Sequence, residues 1–448
     1  MKLKNSVDGK MFEVGDETNW YICGPTIHAE PHIGHARTYI VYDSIIKYLR
    51  AAGKKVNHRV NITDVDDKII NKVASLPGNI HQNWSDFVIE KLAIFLSTMT
   101  QLNIELPENM TCVSAYIHKM IDYMEVLVKK GFAYESNGSV YFDTVAYENV
   151  YGKFHVSDTY TSQESNTHVN EKKDPRDFAL WKKQSPEDLS YKSPYGYGRP
   201  GWHLECSTLL EDLFNSSVDV HGGGIDLKFP HHHNELCQST AYTGNPNCIK
   251  NFVHTGYVTY NKEKMSQSVG NTVTIKDCLQ KYTPSQLRLY FLLHDYASEI
   301  DYSEESLQYA VYVEKKLYRA YKFSKPTEGE NKYDRLIADA FDNNFDTKTA
   351  IKYLIEYVTT ETEYDYNFLK KWSGILGLTY TRVKPKVETC IDAIADIREK
   401  IRNLAGTQPD LEVKKSLFGL ADYIRDKKLK DLKVTLEDNN NSQPWLFE

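Results

Sequence analysis

The apolar positions keep two rhythms along the first part of the chain. WYIC, residues 20–23, is a short continuous apolar run preceded by Asn19 and closed by Gly24-Pro25, which predicts a buried strand. After Pro31 the apolar residues of HIGHARTYIVYDSIIKYLRAAG recur at helical spacing, and Gly53 suits the stop. KVNHRVNI predicts a second strand, so strand, turn, long helix and strand open a parallel α/β unit. DVDDKIINKVA and WSDFVIEKLAIFLSTM predict helices, and residues 112–131 predict another. SVYFDT then alternates like a strand, and residues 151–200 are polar, aromatic and turn-rich, as expected of an insertion in an α/β domain. Over residues 203–242 the α/β pattern resumes. SVDVHGGG predicts a short strand, and a helix starts near Phe229 or Pro230 and runs through NELCQSTAYT. A strand is expected at 252–259, followed by a charged loop and a helix at 285–296. From 303 to 404 the pattern is mainly helical, broken near 325–332 and 377–388, with VETCIDAIADIREKIRNLAG the clearest late helix. The last forty residues read as a small terminal module, with no repeat period.

With 448 residues, 41% of them hydrophobic, the chain can bury a substantial core and should divide into two to four domains. A formal net charge of −7 argues against indiscriminate nucleic-acid binding but leaves room for a basic patch on one face. MKLKNSVDGKMFEVGDE lacks the apolar run of a secretory signal, and no stretch approaches the roughly 20 apolar residues that cross a bilayer. A cytoplasmic protein without a membrane partner is expected. The seven cysteines are scattered and give no disulfide framework. Two of them lie in unusual company: Cys23 in NWYICGPT and Cys206 in GWHLECS.

Four local patterns carry candidate chemistry. In PHIGHAR, residues 31–37, Gly34 removes a side chain where a nucleotide can approach, and helix N–H groups favour phosphate. His32 and His35, three apart, can face one ligand, although a solvated helix start with incidental histidines fits as well. HGGGID, residues 221–226, permits close approach by a base or sugar, with Asp226 as an acceptor for a ribose or an adenine amine. Its glycine spacing suits neither the dinucleotide fingerprint nor a Walker A loop, and an ordinary glycine-rich turn is the competing reading. NKEKMSQS, residues 261–268, offers lysines and hydroxyls that can surround a polyphosphate, or a plain surface loop. Finally, Cys23, Cys206, His231 and Glu235 make a reasonable mixed zinc shell, His231 and Glu235 lying four apart on one helical face. Two thiolates disfavour calcium and magnesium, while His232, His233 and Cys237 compete as ligands.

Taken together and in order, these segments resemble the cysteinyl-tRNA synthetase family of class I over nearly the whole chain. PHIGHAR resembles the class signature, and NITDVDDKII looks like the family segment after the second strand. GWHLECS and HGGGIDLKFPHHHNE are similar to its later catalytic motifs, EKMSQSVGN to its KMSKS loop, and ADYIRDKKLKDLKVTLED with the final PWLFE to its anticodon-recognition module. The resemblance implies an α/β, Rossmann-type parallel-sheet catalytic domain over 1–300 with a connective insertion at about 132–200, a helical tRNA-contact domain over 301–404, and a C-terminal anticodon-recognition module over 405–448. It implies ATP-dependent activation of cysteine to the adenylate and transfer to the terminal ribose of tRNA(Cys), with release of AMP and pyrophosphate. One zinc per subunit, held by Cys23, Cys206, His231 and Glu235, would select the substrate thiol, and Mg²⁺ would accompany ATP. His32, His35 and Lys264 would act around the phosphates. Thr26, Gly34, His221, Gly223, Asp226, Lys264 and Gln267 would hold the nucleotide. Gly24, Thr26 and Trp202 would line the amino-acid pocket. Arg425, Lys428 and Trp445 would meet the tRNA, since residues 413–433 gather seven basic side chains against three acidic ones. A monomer is expected.

The chain departs from the family pattern twice. Gln267 stands where the loop usually has its second lysine, and His233 where HHxNE commonly has glutamate. Glutamine donates a hydrogen bond but does not neutralise pyrophosphate, a deficit that Lys262 or Lys264 would have to offset. Two alternatives share parts of the pattern: a ligase that passes activated cysteine to a small amine, and a noncatalytic RNA-binding relative. The C-terminal module speaks against the first, and the retained metal and phosphate motifs against the second. A simple adenylyl-transferring enzyme leaves the zinc set without a purpose.

Overall fold

The computed structural model describes residues 1–107, 110–152, 170–260, 262–265, 272–327, 329, 331–380, 395, 398–403, 405–407, 411–429, 434–436 and 445–447. They group into two compact units, Met1–Thr379 and Tyr380–Glu448.

The first unit is built on a five-stranded sheet whose neighbours all run parallel: β1 (Glu17–Ile22), β2 (Lys55–Ile62), β3 (Thr111–Cys112), β4 (Val220–Gly224) and β5 (Phe252–Thr255). The strand order is β5-β4-β1-β2-β3. The chain therefore winds outward from β1 in one direction and later returns to its other side. That reversal, between β1 and β4, opens a crevice at the carboxyl ends of the strands, where open α/β sheets bind their ligands. Trp20, Tyr21 and Ile22 are all buried, because a central parallel strand is covered on both faces. The first crossover helix, α1 (Ile33–Ala51), turns Ile33, Ala36, Ile40, Ile45 and Leu49 inward and ends before Gly53, whose φ of +82° suits only glycine.

Between β3 and β4 the chain makes a second sheet, antiparallel throughout, ordered Ala133–Ser136, Ser139–Phe142, Phe178–Lys183, Gly196–Pro200, Tyr191–Ser193. Its first hairpin turns at Asn137-Gly138, both with positive φ, the pair that a tight hairpin favours. Phe142, Phe178 and Trp181 from this sheet share one apolar cluster with Tyr21, Cys23 and Cys206. The sheet thus backs the crevice rather than standing apart from it. It leads through Gly201, where a Cβ would overlap the Ala179 carbonyl, into α2 (Trp202–Phe214). α3 (His233–Thr243) follows β4.

Four helices close the first unit: Glu304–Phe323, Lys332–Asp342, Thr347–Thr360 and Tyr366–Leu376. The second unit holds helix Leu411–Tyr423 and an antiparallel pair, Val434–Leu436 with Trp445–Phe447. No helix among the described residues is long and apolar enough to cross a membrane.

The parallel-sheet expectation holds, with local differences. Residues 112–131 are not one helix: Thr111–Cys112 is the edge strand β3, Val113–Tyr116 a 3₁₀ turn, and only Ile117–Lys129 is α-helical. Helix α3 begins at His233, after a widened turn over Lys228–His232 that contains an extended Phe229. Residues 395, 398–403, 405 and 406 of the late helix are helical, and the rest of it lies outside the described residues.

Candidate metal centre and nucleotide crevice

Three elements meet at the crevice floor. Cys23 follows β1 directly, its N–H bonded to the Gly222 carbonyl of β4 at 2.9 Å. Cys206 lies on α2, and His231 and Glu235 face each other across one turn leading into α3, with His231 Nε2 to Glu235 Oε1 at 2.9 Å. Cys23 Sγ is 3.8 Å from Cys206 Sγ and 4.0 Å from Glu235 Oε1, and Cys206 Sγ is 3.6 Å from His231 Nε2. All four side chains are buried. With Zn–S of about 2.3 Å and Zn–N of about 2.0–2.1 Å, a tetrahedral shell has edges of about 3.8 Å between sulfurs and about 3.5 Å between sulfur and nitrogen. The two thiols and the imidazole already sit at those spacings, so this donor set fits zinc.

A second group of four, Cys23, His221, His232 and Glu235, overlaps the first. His221 places Nδ1 3.0 Å from the Tyr21 carbonyl and Nε2 2.8 Å from Glu235 Oε2. His232 places Nε2 3.3 Å from Cys23 Sγ and Nδ1 2.8 Å from His254, which in turn meets Ser6. Behind His231 stands His203, the two Nδ1 atoms 2.9 Å apart. Cys23, His231 and Glu235 therefore each touch a polar group outside the quartet that fixes their orientation.

The electrostatics suit a cation. A hydrogen bond from Cys23, against the opposing effect of burial, lowers the Cys206 thiol to about 6, with His231 adding to the shift. Burial, then the neighbouring Cys206, raises Cys23. Metal binding to this pair would release the protons its thiols carry. Burial disfavours charge on Glu235, yet His231 and His221 pull it down to about 2.

The PHIGHAR segment opens α1. His32 is the N-cap of α1, its Nδ1 accepting from Gly34 N at 3.1 Å, while His35 Nδ1 accepts from His32 N at 3.2 Å. The two rings stack at 3.9 Å. With both Nδ1 atoms accepting, the neutral rings carry their protons on Nε2. Burial lowers His32 to about 4, with Asp226 opposing that shift across the crevice; burial and then His32 lower His35 further. Burial thus keeps both imidazoles neutral near pH 7, able to donate a hydrogen bond but carrying no charge. Gly34 has no room for a Cβ, which would press on the His32 ring.

Gly24 donates to Asn61 Oδ1 at 2.7 Å and passes too close to the Asn61 backbone for a side chain, while Thr26 bridges to Thr63; both lie beside Cys23. Trp202 is 38% exposed and stacks on His231 at 4.1 Å. Gly223 packs against Leu227 and His232, and Asp226 is exposed on the turn after β4. His221, expected with the nucleotide residues, is instead fully buried beside Glu235. Lys264 lies on a short strand paired with Val258–Tyr260. The Lys264 side chain and all of Gln267 fall outside the described residues, as do the side chains of Lys428 and Trp445. Arg425 is described: Asp426 and Asp422 hold its guanidinium at 2.6 and 3.2 Å. The sequence reading missed His203 and His254, whose only signal is their place three residues before Cys206 and on the strand beside His221.

Residues 11–312 match the family model for the catalytic domain of class I (C) tRNA synthetases. Cysteine–tRNA ligase of Saccharolobus solfataricus is 34% identical over 100% of this chain and 99% of its own length. That of Methanococcus vannielii is 35% identical, covering 95% and 94% respectively. The cytoplasmic cysteine–tRNA ligase of Dictyostelium discoideum is 34% identical over 97% of this chain and 74% of its own. In fold the chain is similar to Mycobacterium tuberculosis methionyl-tRNA synthetase in complex with methionyl-adenylate, with a TM-score of 0.53 at 14% identity over 92% of this chain and 89% of that one. It is also similar to Thermus thermophilus arginyl-tRNA synthetase, at 0.53 and 12% over 83% of each chain.

Proposed function

The chain belongs to the cysteine–tRNA ligase family of class I tRNA synthetases, and on that premise we propose that it forms cysteinyl-adenylate from cysteine and ATP and esterifies the aminoacyl group to the terminal ribose of tRNA(Cys). The observation that carries this reading is the buried Cys23, Cys206, His231, Glu235 cluster at the sheet's switch point, with the His32–His35 pair at the start of α1, the helix that follows β1. Zinc bound by these four would supply a soft centre that prefers a substrate thiolate to a hydroxyl, a distinction that an apolar pocket makes poorly.

The chain's own residues supply the rest. Trp202 closes one side of the amino-acid pocket, and the Gly24–Thr26 turn leaves space for the substrate's polar end. The carboxylate of cysteine attacks the α-phosphorus in line and pyrophosphate departs, so alignment and charge stabilisation are what the protein must contribute. The Nε2–H groups of His32 and His35 point at the phosphates, Gly34 lets them approach, and Gly223 and Asp226 hold the adenosine. Lys264, with Mg²⁺ carried in by ATP, offsets the charge of the leaving pyrophosphate, with Gln267 as a hydrogen-bond donor.

Residues 1–300, with the insertion at about 132–200, form the catalytic part in this proposal. The helices of 301–404 support the tRNA, and 405–448 reads the anticodon through Arg425, Lys428 and Trp445. The helix Glu304–Phe323 supports an RNA partner: its exposed face presents stacked Tyr309 and Tyr312 followed by Lys315, Arg319 and Lys322, and none of these three cations has an ion pair among the described residues. A cytoplasmic monomer with one zinc per chain completes the proposal. The test is cysteine-dependent ATP–pyrophosphate exchange by zinc-loaded protein, with serine as the control, followed by charging of tRNA(Cys). Exchange with cysteine alone is expected. Equal exchange with serine would remove the thiol-selecting role of the cluster.

A further inference from the structure

Arg37, the last residue of PHIGHAR, is fully buried and forms no ion pair among the described residues. Its guanidinium binds backbone carbonyls instead. Nη1 donates to Tyr257 O at 2.8 Å, and Nη2 faces Asp295 O, Tyr296 O and Ser298 O at 3.0, 3.3 and 2.5 Å. Burial without a paired anion lowers its pKa to about 10, which still leaves it charged near neutrality.

Those acceptors come from two segments with one thing in common. Tyr257 immediately precedes strand Val258–Tyr260, and Asp295–Ser298 is the turn that leads into strand Ile300–Tyr302. The two strands pair in parallel, and Val258–Tyr260 also carries Glu263–Lys264 on its other edge. Arg37 therefore sits under the entry to both strands of the small sheet that bears Lys264. Gly256 lets the two segments close on the guanidinium: its N–H bonds Tyr296 O at 2.9 Å, and a Cβ there would overlap the Ser298 carbonyl. After the EKMSQSVGN segment, the chain is tied to the same end of α1, with Ile33 N to Val273 O at 3.1 Å and Ile275 N to Pro31 O at 3.0 Å.

We propose that Arg37 is a positioning residue for adenylate formation: it fixes the sheet carrying Lys264 against the α1 turn carrying His32 and His35, so that both sides of the ATP polyphosphate meet groups held in one register. This rests on the activation chemistry proposed above. A planar fork can serve carbonyls from two segments at once, whereas an ammonium is a single point. Arg37→Lys keeps the charge and loses that geometry.

The experiment measures pyrophosphate exchange at varied ATP and at varied cysteine for the wild type, Arg37→Lys and Arg37→Met, with zinc content and melting temperature alongside. In both variants the kcat/KM for ATP is expected to fall about 10- to 100-fold, the range for a small misplacement in an aligned site. The KM for cysteine and the zinc content should stay at wild-type values, because Arg37 touches neither. Trypsin cleavage after Lys262 or Lys264 should also become faster. Unchanged ATP parameters in folded variants would overturn the proposal, and so would equal losses for ATP and cysteine that track a lost folded fraction. Should the Arg37 variants not fold, Gly256→Ala forces the same two segments apart with Arg37 intact and must give the same ATP-selective loss. A wild type without cysteine-dependent exchange would sink the functional reading, while the trypsin comparison would still decide whether Arg37 holds the sheet.

Discussion

Gly34 shows how much one missing side chain can decide. The His32 Nδ1 cap lies directly over it, so a methyl group at position 34 would push the ring off the Gly34 N–H and out of its stack with His35. Gly34→Ala is expected to lower the exchange rate more than 10-fold, about the effect of misplacing groups aligned on a reacting phosphate. Zinc content should be unaffected, and a variant with wild-type exchange would remove the paired imidazoles from the phosphate site. His58 gives a pH-dependent counterpart. Burial, and then the positive charge of Arg50, lower it to about 3, and its Nε2 has no hydrogen-bond partner among the described residues. The unfolded chain takes up that proton near pH 6.5, well before the folded one does. Stability is therefore lost as pH falls from about 6.5 toward 3. His58→Leu escapes this penalty, so its melting temperature should gain on the wild type as pH is lowered from 7 to 5. A constant difference across that range would show that His58 is not held neutral.

At the scale of elements, the buried Asp43–Arg288 pair ties α1 to the helix Pro284–Leu292 at 2.5 Å. Arg288 also donates to Leu376 O, Leu102 O and Asn103 O, joining the end of helix Tyr366–Leu376 to the same point. Removing one partner of a buried pair strands the other. Asp43→Ala should therefore cost about 3–5 kcal/mol in urea unfolding, whereas a surface pair such as Lys332–Glu361 should cost under about 1 kcal/mol. Elements of this kind also mark the limit of what sequence shows. KVNHRVNI was legible because its eight residues make a whole strand, and PHIGHAR because a glycine sits between two histidines at a helix start. Thr111–Cys112 was not, since two residues carry no periodicity, yet they form the edge of the main sheet. The Cys23, Cys206, His231 and Glu235 quartet was legible as residue types. Consecutive histidines at 231, 232 and 233 all lie near enough to Glu235 in sequence, and only the widened turn at Lys228–His232 decides which ring faces which sulfur. Arg37 lies within PHIGHAR, but its acceptors are carbonyls more than two hundred residues away, which no side-chain pattern announces.

For the whole molecule, the net charge of −7 makes a polyanionic partner depend on where the cations are placed. The outer face of helix Glu304–Phe323 gathers them: Tyr309, Tyr312, Lys315, Arg319 and Lys322 are exposed along one side, and Lys316 Nζ lies 5.6 Å from the Tyr312 ring. Elsewhere on the surface, lysines such as Lys250, Lys281 and Lys371 are paired with carboxylates. Unpaired cations interleaved with tyrosines can meet phosphates through charge and unpaired bases through stacking. If this face meets the tRNA, Lys315→Glu with Arg319→Glu should raise the KM for tRNA and leave cysteine-dependent pyrophosphate exchange at the wild-type rate, because exchange needs no RNA. The slope of log affinity against log salt should become shallower by about 1 for each lost phosphate contact. The comparison separates two failures. A double variant that charges tRNA with wild-type KM and salt slope would assign this face to solvent and leave recognition to the C-terminal unit. One that loses exchange as well would have damaged the fold rather than the RNA surface.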